Sequence, residues 1–230
     1  MSSLQLSRRR LLAAGGAVGL LAVAPGGSLA AETPIEQPSA EEALERLLAG
    51  NARYVDNTPL QRPPTDRASL AAGQAPFAAI LACADSRVAP ELVFDQGPGD
   101  LFVVRIAGNF VTDYVLGSLE YAVAYLNVPL ILVMGHSGCG AVAAALKTAQ
   151  QNATFPGNVG SLAARVQTGL HDSLQTQPEL SLEDAVVENS RSTVEELERA
   201  GSILPRATVD GRLQITAALH TLTDGRVTLL

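Results

Sequence analysis

The chain has 230 residues, 47% of them hydrophobic and 17% charged, with two cysteines and no tryptophan. That length and composition suit one globular domain with a sizeable core, and exclude a disordered chain. Sixteen basic against 23 acidic residues leave a net charge of −7, a surface that repels nucleic acid and anionic lipid.

Residues 1–30 read as an address. Ser7-Arg8-Arg9-Arg10-Leu11-Leu12 precedes an uncharged stretch from Ala13 to Ala24 and then Pro25-Gly26-Gly27-Ser28-Leu29-Ala30. This is the layout of a twin-arginine export signal with a small-residue cleavage site near Ala30. A membrane anchor is the alternative, but the apolar run from Leu11 to Ala24 is only 14 residues and is broken by Gly15, Gly16 and Gly19. A span needs about 20 residues. Removing residues 1–30 leaves 13 basic and 23 acidic residues, a net −10. The expectation is therefore export through the twin-arginine machinery to the periplasm, with residues 31–230 as the mature domain.

Residues 31–38 carry two prolines and read as a linker, after which Ser39-Ala40-Glu41-Glu42 forms a capping box opening a helix through about Ala52. A polar, proline-rich passage follows from Asp56 to Asp66. Three apolar runs, Phe77–Ala82, Leu101–Ile106 and Leu130–Met134, lack alternation, as strands buried on both faces do, and predict a parallel sheet. Helical patterns cover Pro90–Asp95, Tyr114–Leu126, Cys139–Ala149, Asn152–Gly169 and Leu182–Ala200, the last opened by Ser181 with Asp184 three residues on. Leu213–Leu219 and Val227–Leu230, joined through Asp224-Gly225, read as a hairpin that extends the sheet edge. The expected fold is α/β: a mostly parallel central sheet flanked by helices, with a C-terminal antiparallel edge strand or hairpin.

Chemistry concentrates in two blocks, Cys83-Ala84-Asp85-Ser86-Arg87 and His136-Ser137-Gly138-Cys139, each ending an apolar run. Ligands of an open parallel sheet gather beyond the carboxyl ends of its strands, so neighbouring strands would bring both blocks together. Cys139 would also open a helix, where free N–H groups favour a thiolate. Two thiolates and an imidazole give zinc three ligands and leave a fourth position open, the catalytic arrangement. The cysteines alone suit buried free thiols or a disulfide equally well; His136 three residues from Cys139 moves the balance to metal. His171 and His220, among helix-end and hairpin residues with no other ligand type nearby, read as satisfied polar residues rather than ligands. The glycines of Gly135-His136-Ser137-Gly138-Cys139-Gly140 invite a phosphate-loop reading, but the order Gly-x-Gly-x-x-Gly and a following Lys-Ser or Lys-Thr are missing.

These blocks, with Pro98–Arg105, Ala107-Gly108-Asn109 and Ser118–Ala122, resemble the β-class carbonic anhydrases over residues 39–230. The resemblance implies zinc held by Cys83, His136 and Cys139, and reversible hydration of carbon dioxide to bicarbonate and a proton by attack of zinc-bound hydroxide. It further implies a dyad in which Arg87 holds Asp85 off the metal; left free, Asp85 becomes a fourth ligand in a closed state. Gln74, nine residues before Cys83, marks the accessible-site, plant-like subgroup, and Phe102, Tyr121 and Gly140 fall at its substrate-pocket positions. In that subgroup Gln74, Phe102 and Tyr121 come from a neighbouring subunit, which implies a homodimer or a higher even oligomer. Ile106 departs from the family, where asparagine is common, but touches no assigned ligand.

A site of zinc, two thiolates and a neutral imidazole carries about zero net charge and acidifies water less than an all-histidine site, so Asp85 is expected to help. Arg87 has a plainer reading as a surface ion-pair partner. Alternatives for the whole chain are a carbonyl sulfide or carbon disulfide hydrolase on the same ligands, and a non-catalytic zinc-binding protein. Simple binding needs none of Gln74, Asp85 or Arg87. Export of an already folded chain would deliver the thiolates ligated rather than oxidised.

Overall fold

The computed structural model describes residues 37–63 and 66–230; the expected export signal, residues 1–30, lies outside them. Helix α1, Ala40–Val55, opens on the expected capping box: the Glu42 amide donates to Ser39 Oγ at 3.1 Å and the Ser39 amide to Glu42 Oε2 at 2.8 Å. Its buried stripe of Ala43, Leu47 and Gly50 then faces the sheet.

Strands β1 (Ala78–Ala82), β2 (Leu101–Arg105), β3 (Leu130–His136), β4 (Gln214–His220) and β5 (Val227–Leu229) form one sheet in the order β2-β1-β3-β4-β5. The first four run parallel and β5 pairs antiparallel with β4, the edge hairpin the sequence predicts. Every residue of β1 and β3 is buried, as their unbroken apolar runs predict, but β2, expected to be buried likewise, is the edge strand: Leu101–Val104 are only partly buried and Arg105 is exposed. On one face Ile80, Leu132 and Met134 pack with α1 and with Val93 and Phe94, around helix α3 (Pro90–Val93). On the other, Leu81, Ile131 and Val133 pack with α4 (Asp113–Tyr125), α8 (Leu182–Arg199) and α9 (Ile203–Val209).

Two boundaries differ from the sequence pattern, and three short helices are additions to it. β3 runs past Met134 to His136 because β4 continues beside it, with Gly135 against Leu219 and His136 against His220. The helix expected from Asn152 starts only at Asn158, as α6 (Asn158–Gly169); Asn152 is instead the left-handed cap of α5 (Gly140–Gln151), with φ 53°. Short helices α2 (Arg67–Ala72) and α7 (His171–Thr176) span six residues each, too few to show a helical period. The seven-residue α9 was hidden for the same reason. No helix among the described residues is long and apolar enough to cross a membrane.

The polar passage before α2 is tied down through Asp95, a buried residue with φ 47°. Its carboxylate accepts from Arg53 Nε at 2.5 Å, Arg62 Nη1 at 2.7 Å and the Leu60 amide at 3.1 Å. Burial pushes its pKa up, but the bonds from Arg62 and Arg53 win and bring it down to about 2. The passage that leads to Gln74 is thus anchored to α1.

Gly50 marks where α1 meets the chain after α3: a Cβ there would lie 1.8 Å from the Phe94 carbonyl oxygen. On an exposed helix, glycine to alanine stabilises by up to about 1 kcal/mol. Here Gly50→Ala should instead destabilise by about 1–3 kcal/mol through overpacking, read as a lower urea midpoint. An equal or higher midpoint would show that α1 is not seated so closely.

Candidate metal centre

Pairing of β1 with β3 places Ala82 against Met134, so Cys83 and His136 leave neighbouring strands at the carboxyl edge of the sheet. Cys139 caps α5 three residues later. All three side chains are buried, and their ligand atoms lie within 4.8 Å of one another. The two sulfurs are 3.9 Å apart, with no disulfide between them. A tetrahedral ion with Zn–S bonds of about 2.3 Å separates two sulfurs by about 3.8 Å, so the pair is spaced for zinc.

The imidazole is prepared in the same sense. His136 Nδ1 lies 3.0 Å from Ser137 O, a contact that Nδ1 makes only as a donor, so Nε2 carries the bare lone pair. Nε2 is buried and has no hydrogen-bond partner among the described residues. A buried acceptor without a partner costs stability, and a metal ion at the sulfurs would satisfy it.

Charge argues likewise. The Cys139 thiol beside the Cys83 sulfur pulls the Cys83 pKa down, against the opposing effect of burial; the Gly108 amide, 3.4 Å from Sγ, adds to the lowering. Cys139 is driven up by the Cys83 sulfur and by burial, with the amides at the start of α5 pulling weakly the other way. Without a cation the pair keeps one proton between two sulfurs. A divalent ion lets both ionise.

Asp85 lies just outside this trio. Its Oδ1 accepts from Arg87 Nε at 2.9 Å and from the Arg87 amide at 3.0 Å, while Oδ2 accepts from Arg87 Nη2 at 2.7 Å. These bonds hold its carboxyl well below the usual carboxylate range. Among the described residues Oδ1 accepts two bonds and Oδ2 one, and Oδ2 is the oxygen 3.9 Å from His136 Nε2. Arg105, at the end of β2, donates from Nε to Cys83 O at 2.9 Å and from Nη2 to Asp85 O at 2.6 Å. A second arginine therefore fixes the backbone of the same loop.

The carbonic anhydrase family model matches residues 78–227. Carbonic anhydrase 2 of Mycobacterium tuberculosis is 44% identical over 195 residues, covering 81% of this chain and 91% of its own. The chain belongs to the β-class carbonic anhydrase family. Among solved structures, the β-carbonic anhydrase CcaA matches with a TM-score of 0.65 at 26% identity, over 81% of this chain and 94% of that one. A tetrameric β-carbonic anhydrase of Sordaria macrospora shares the fold, with a TM-score of 0.64 at 23% identity over 82% of this chain and 97% of that one.

The pocket residues that the resemblance implies do not all gather at the trio. Gly140 does: it opens α5 next to Cys139, and a Cβ there would meet open space. Phe102 sits at the register of Ala79, four residues before Cys83, roughly 13 Å down the strand. It neighbours Tyr121 of α4, with ring centroids 6.4 Å apart. Gln74 is exposed and enters β1 from the end opposite Cys83. Within one chain these three are remote from its own ligands.

Some neighbours of the site carried no sequence signal as such. Asn189 Nδ2 and Thr193 Oγ1 of α8 donate to Gly108 O and Asn109 O, bracing the loop whose amide meets Cys83. His220, expected to be a satisfied polar residue, is not one: it is buried beside His136 on β4, and neither of its ring nitrogens has a hydrogen-bond partner among the described residues. Its pairing with His136 across the sheet is a non-local feature that composition cannot reveal. His171 is exposed at the start of α7, as expected of a residue outside the site.

Replacing Arg87 by alanine removes the bonds that hold Asp85 low. The Asp85 carboxyl should then titrate at higher pH than in the parent, followed by its carboxyl ¹³C shift in the metal-free protein. An unchanged titration would mean that another group sets its charge.

Proposed function

We propose that this chain is a zinc carbonic anhydrase of the accessible-site kind, hydrating carbon dioxide reversibly to bicarbonate and a proton. The observation that carries the reading is Asp85: bound twice by Arg87 through its side chain, it stands beside the trio with Oδ2 3.9 Å from His136 Nε2.

Cys83, His136 and Cys139 would hold the zinc. Zinc bound there supplies a Lewis acid with one open position, which brings the pKa of a water molecule toward neutrality. Asp85 Oδ2 would accept a hydrogen bond from a water molecule there and so orient that water toward carbon dioxide. Arg87 keeps Asp85 from taking the open position itself, and its two-pronged grip gives direction that a lysine would not. Buried apolar neighbours of the cysteines, Phe110, Val142, Val166 and Leu170, keep bulk water from the sulfurs.

Substrate contacts come from a second copy of the chain in this reading, with Gln74 donating to an oxygen of carbon dioxide and Phe102 and Tyr121 walling the pocket. Support lies in α4: Tyr114, Tyr121 and Tyr125 are exposed at helical spacing, with the last two stacked at 5.2 Å. Three of the chain's four tyrosines thus share one uncovered helix face, next to edge strand β2. A homodimer or a higher even oligomer through this face completes both sites.

The purified protein should hold about one zinc per chain, and Cys139→Ser should lose both metal and hydration activity. Arg87→Ala should keep its zinc and lose most activity. A metal-free parent that carries a Cys83–Cys139 disulfide and remains fully active would refute the zinc assignment. Consumption of carbonyl sulfide without carbon dioxide hydration would move the substrate to the hydrolase alternative.

Export is the second part of the proposal: residues 1–30 direct the folded, loaded chain through the twin-arginine machinery to the periplasm. Changing Arg8 and Arg9 together to lysine should leave folded protein in the cytoplasm on cell fractionation. Continued delivery of that variant to the periplasm would show that another route serves.

A further inference from the structure

The zinc reading leaves open what aims the imidazole. A histidine ligand needs its second nitrogen held, because a ring free to pivot about its side-chain bonds presents its lone pair in many directions. In many metal sites a carboxylate or a distant carbonyl does this. Here the acceptor is the carbonyl of the next residue, Ser137 O, 3.0 Å from His136 Nδ1. An acceptor one peptide away orients the ring only if that peptide is itself immobile.

Ser137, which carries that carbonyl, is held on its other side by the neighbouring strand β4. The Ser137 amide donates to His220 O at 3.0 Å, which continues the β3–β4 ladder one residue past the paired His136 and His220. Among the described residues that is the last backbone bond between the two strands. The Ser137 hydroxyl takes over: it accepts the Leu222 amide at 2.9 Å, across 85 residues of sequence. Gly138 follows with φ 67°, so the chain turns sharply there toward Cys139. The Leu222 end is firm in its turn. Asn51 of α1 donates from Nδ2 to Gly225 O at 2.8 Å and accepts the Val227 amide on Oδ1 at 2.8 Å, while the Thr221 amide closes onto Arg226 O at 2.9 Å.

We propose that Ser137 is a positioning residue of the metal centre: its hydroxyl, by accepting the Leu222 amide, locks the peptide whose carbonyl holds His136 Nδ1, and so fixes Nε2 toward Cys83 and Cys139. The inference rests on zinc being the occupant of the trio. It adds that the hairpin turn between β4 and β5 takes part in metal binding without supplying a ligand. Ser137 forms no bond to the metal, and its role is read through His136.

The test compares Ser137→Ala with Ser137→Thr, which keeps the hydroxyl, in the whole protein stripped of metal and reloaded. Zinc affinity is measured by competition with a chromophoric chelator, and ligand geometry by the visible absorption bands of the cobalt(II)-loaded protein. Ser137→Ala should weaken zinc binding about 10- to 100-fold and shift or broaden the cobalt bands, while Ser137→Thr should restore both. Leu222→Pro, which deletes the same hydrogen bond from the donor side, should reproduce the alanine result and guards against misfolding of one variant. Parent-like affinity and bands in Ser137→Ala, with only the unfolding temperature of the metal-free protein lowered, would overturn the proposal and leave Ser137 a structural residue. A parent protein that binds neither zinc nor cobalt would overturn the proposal together with the zinc reading, a result distinct from the first.

Discussion

Everything at the centre depends on one register, the parallel pairing of β1 with β3 that sets Ala82 against Met134. Side chains along a strand alternate between faces, so a slip of one residue would turn Cys83 away from His136 and dissolve the trio. Both strands are buried on both faces, and the register is held by volume: Leu81, Ile131 and Val133 fill one layer, Ile80, Leu132 and Met134 the other. The core therefore does more than stabilise the fold. It measures the distance between two sulfurs.

That distance has two sides. Sulfurs 3.9 Å apart in a buried setting resist joint ionisation, and the same spacing matches two ligands of one tetrahedral ion. The loop that carries the first sulfur is controlled by two guanidinium groups with separate tasks. Arg87 grips the Asp85 carboxylate, while Arg105 grips the carbonyls of Cys83 and Asp85. Side chain and backbone of Asp85 are thus set independently, by arginines from different elements. With its pKa depressed, Asp85 is ionised throughout the neutral range and stays an acceptor there.

Much of this was legible in residues 39–230. The capping box at Ser39, the doubly buried strands β1 and β3 and the C-terminal hairpin are local patterns that appear in the structure close to their expected bounds, whereas the equally apolar run of β2 lies at the sheet edge and is only partly buried. The cluster of Cys83, His136 and Cys139 was legible because few residue types can hold a metal ion, and cysteine is scarce enough here for two to be conspicuous. What stayed hidden is non-local or short. Helices α2, α7 and α9 have too few residues to show a period. The Ser137 and His220 contacts depend on β4 lying beside β3, and nothing within either segment announces that partner. Asn152 looked like the start of a helix because its neighbours are helix-compatible, yet it adopts the left-handed cap that asparagine tolerates better than most residues.

The brace on His136 also orders events in time. Synthesis delivers Cys83, His136 and Cys139 well before the His220 carbonyl and the Leu222 amide that fasten the peptide beside the ring. Pairings of such long sequence separation form late in folding, after loop-closure entropy has been overcome. A growing chain thus passes through a stage in which two thiols and an imidazole exist without the frame that aims them. At that stage the cysteines are open to oxidation or to a wrongly shaped ion, and only closure of the last parallel strand ends the interval.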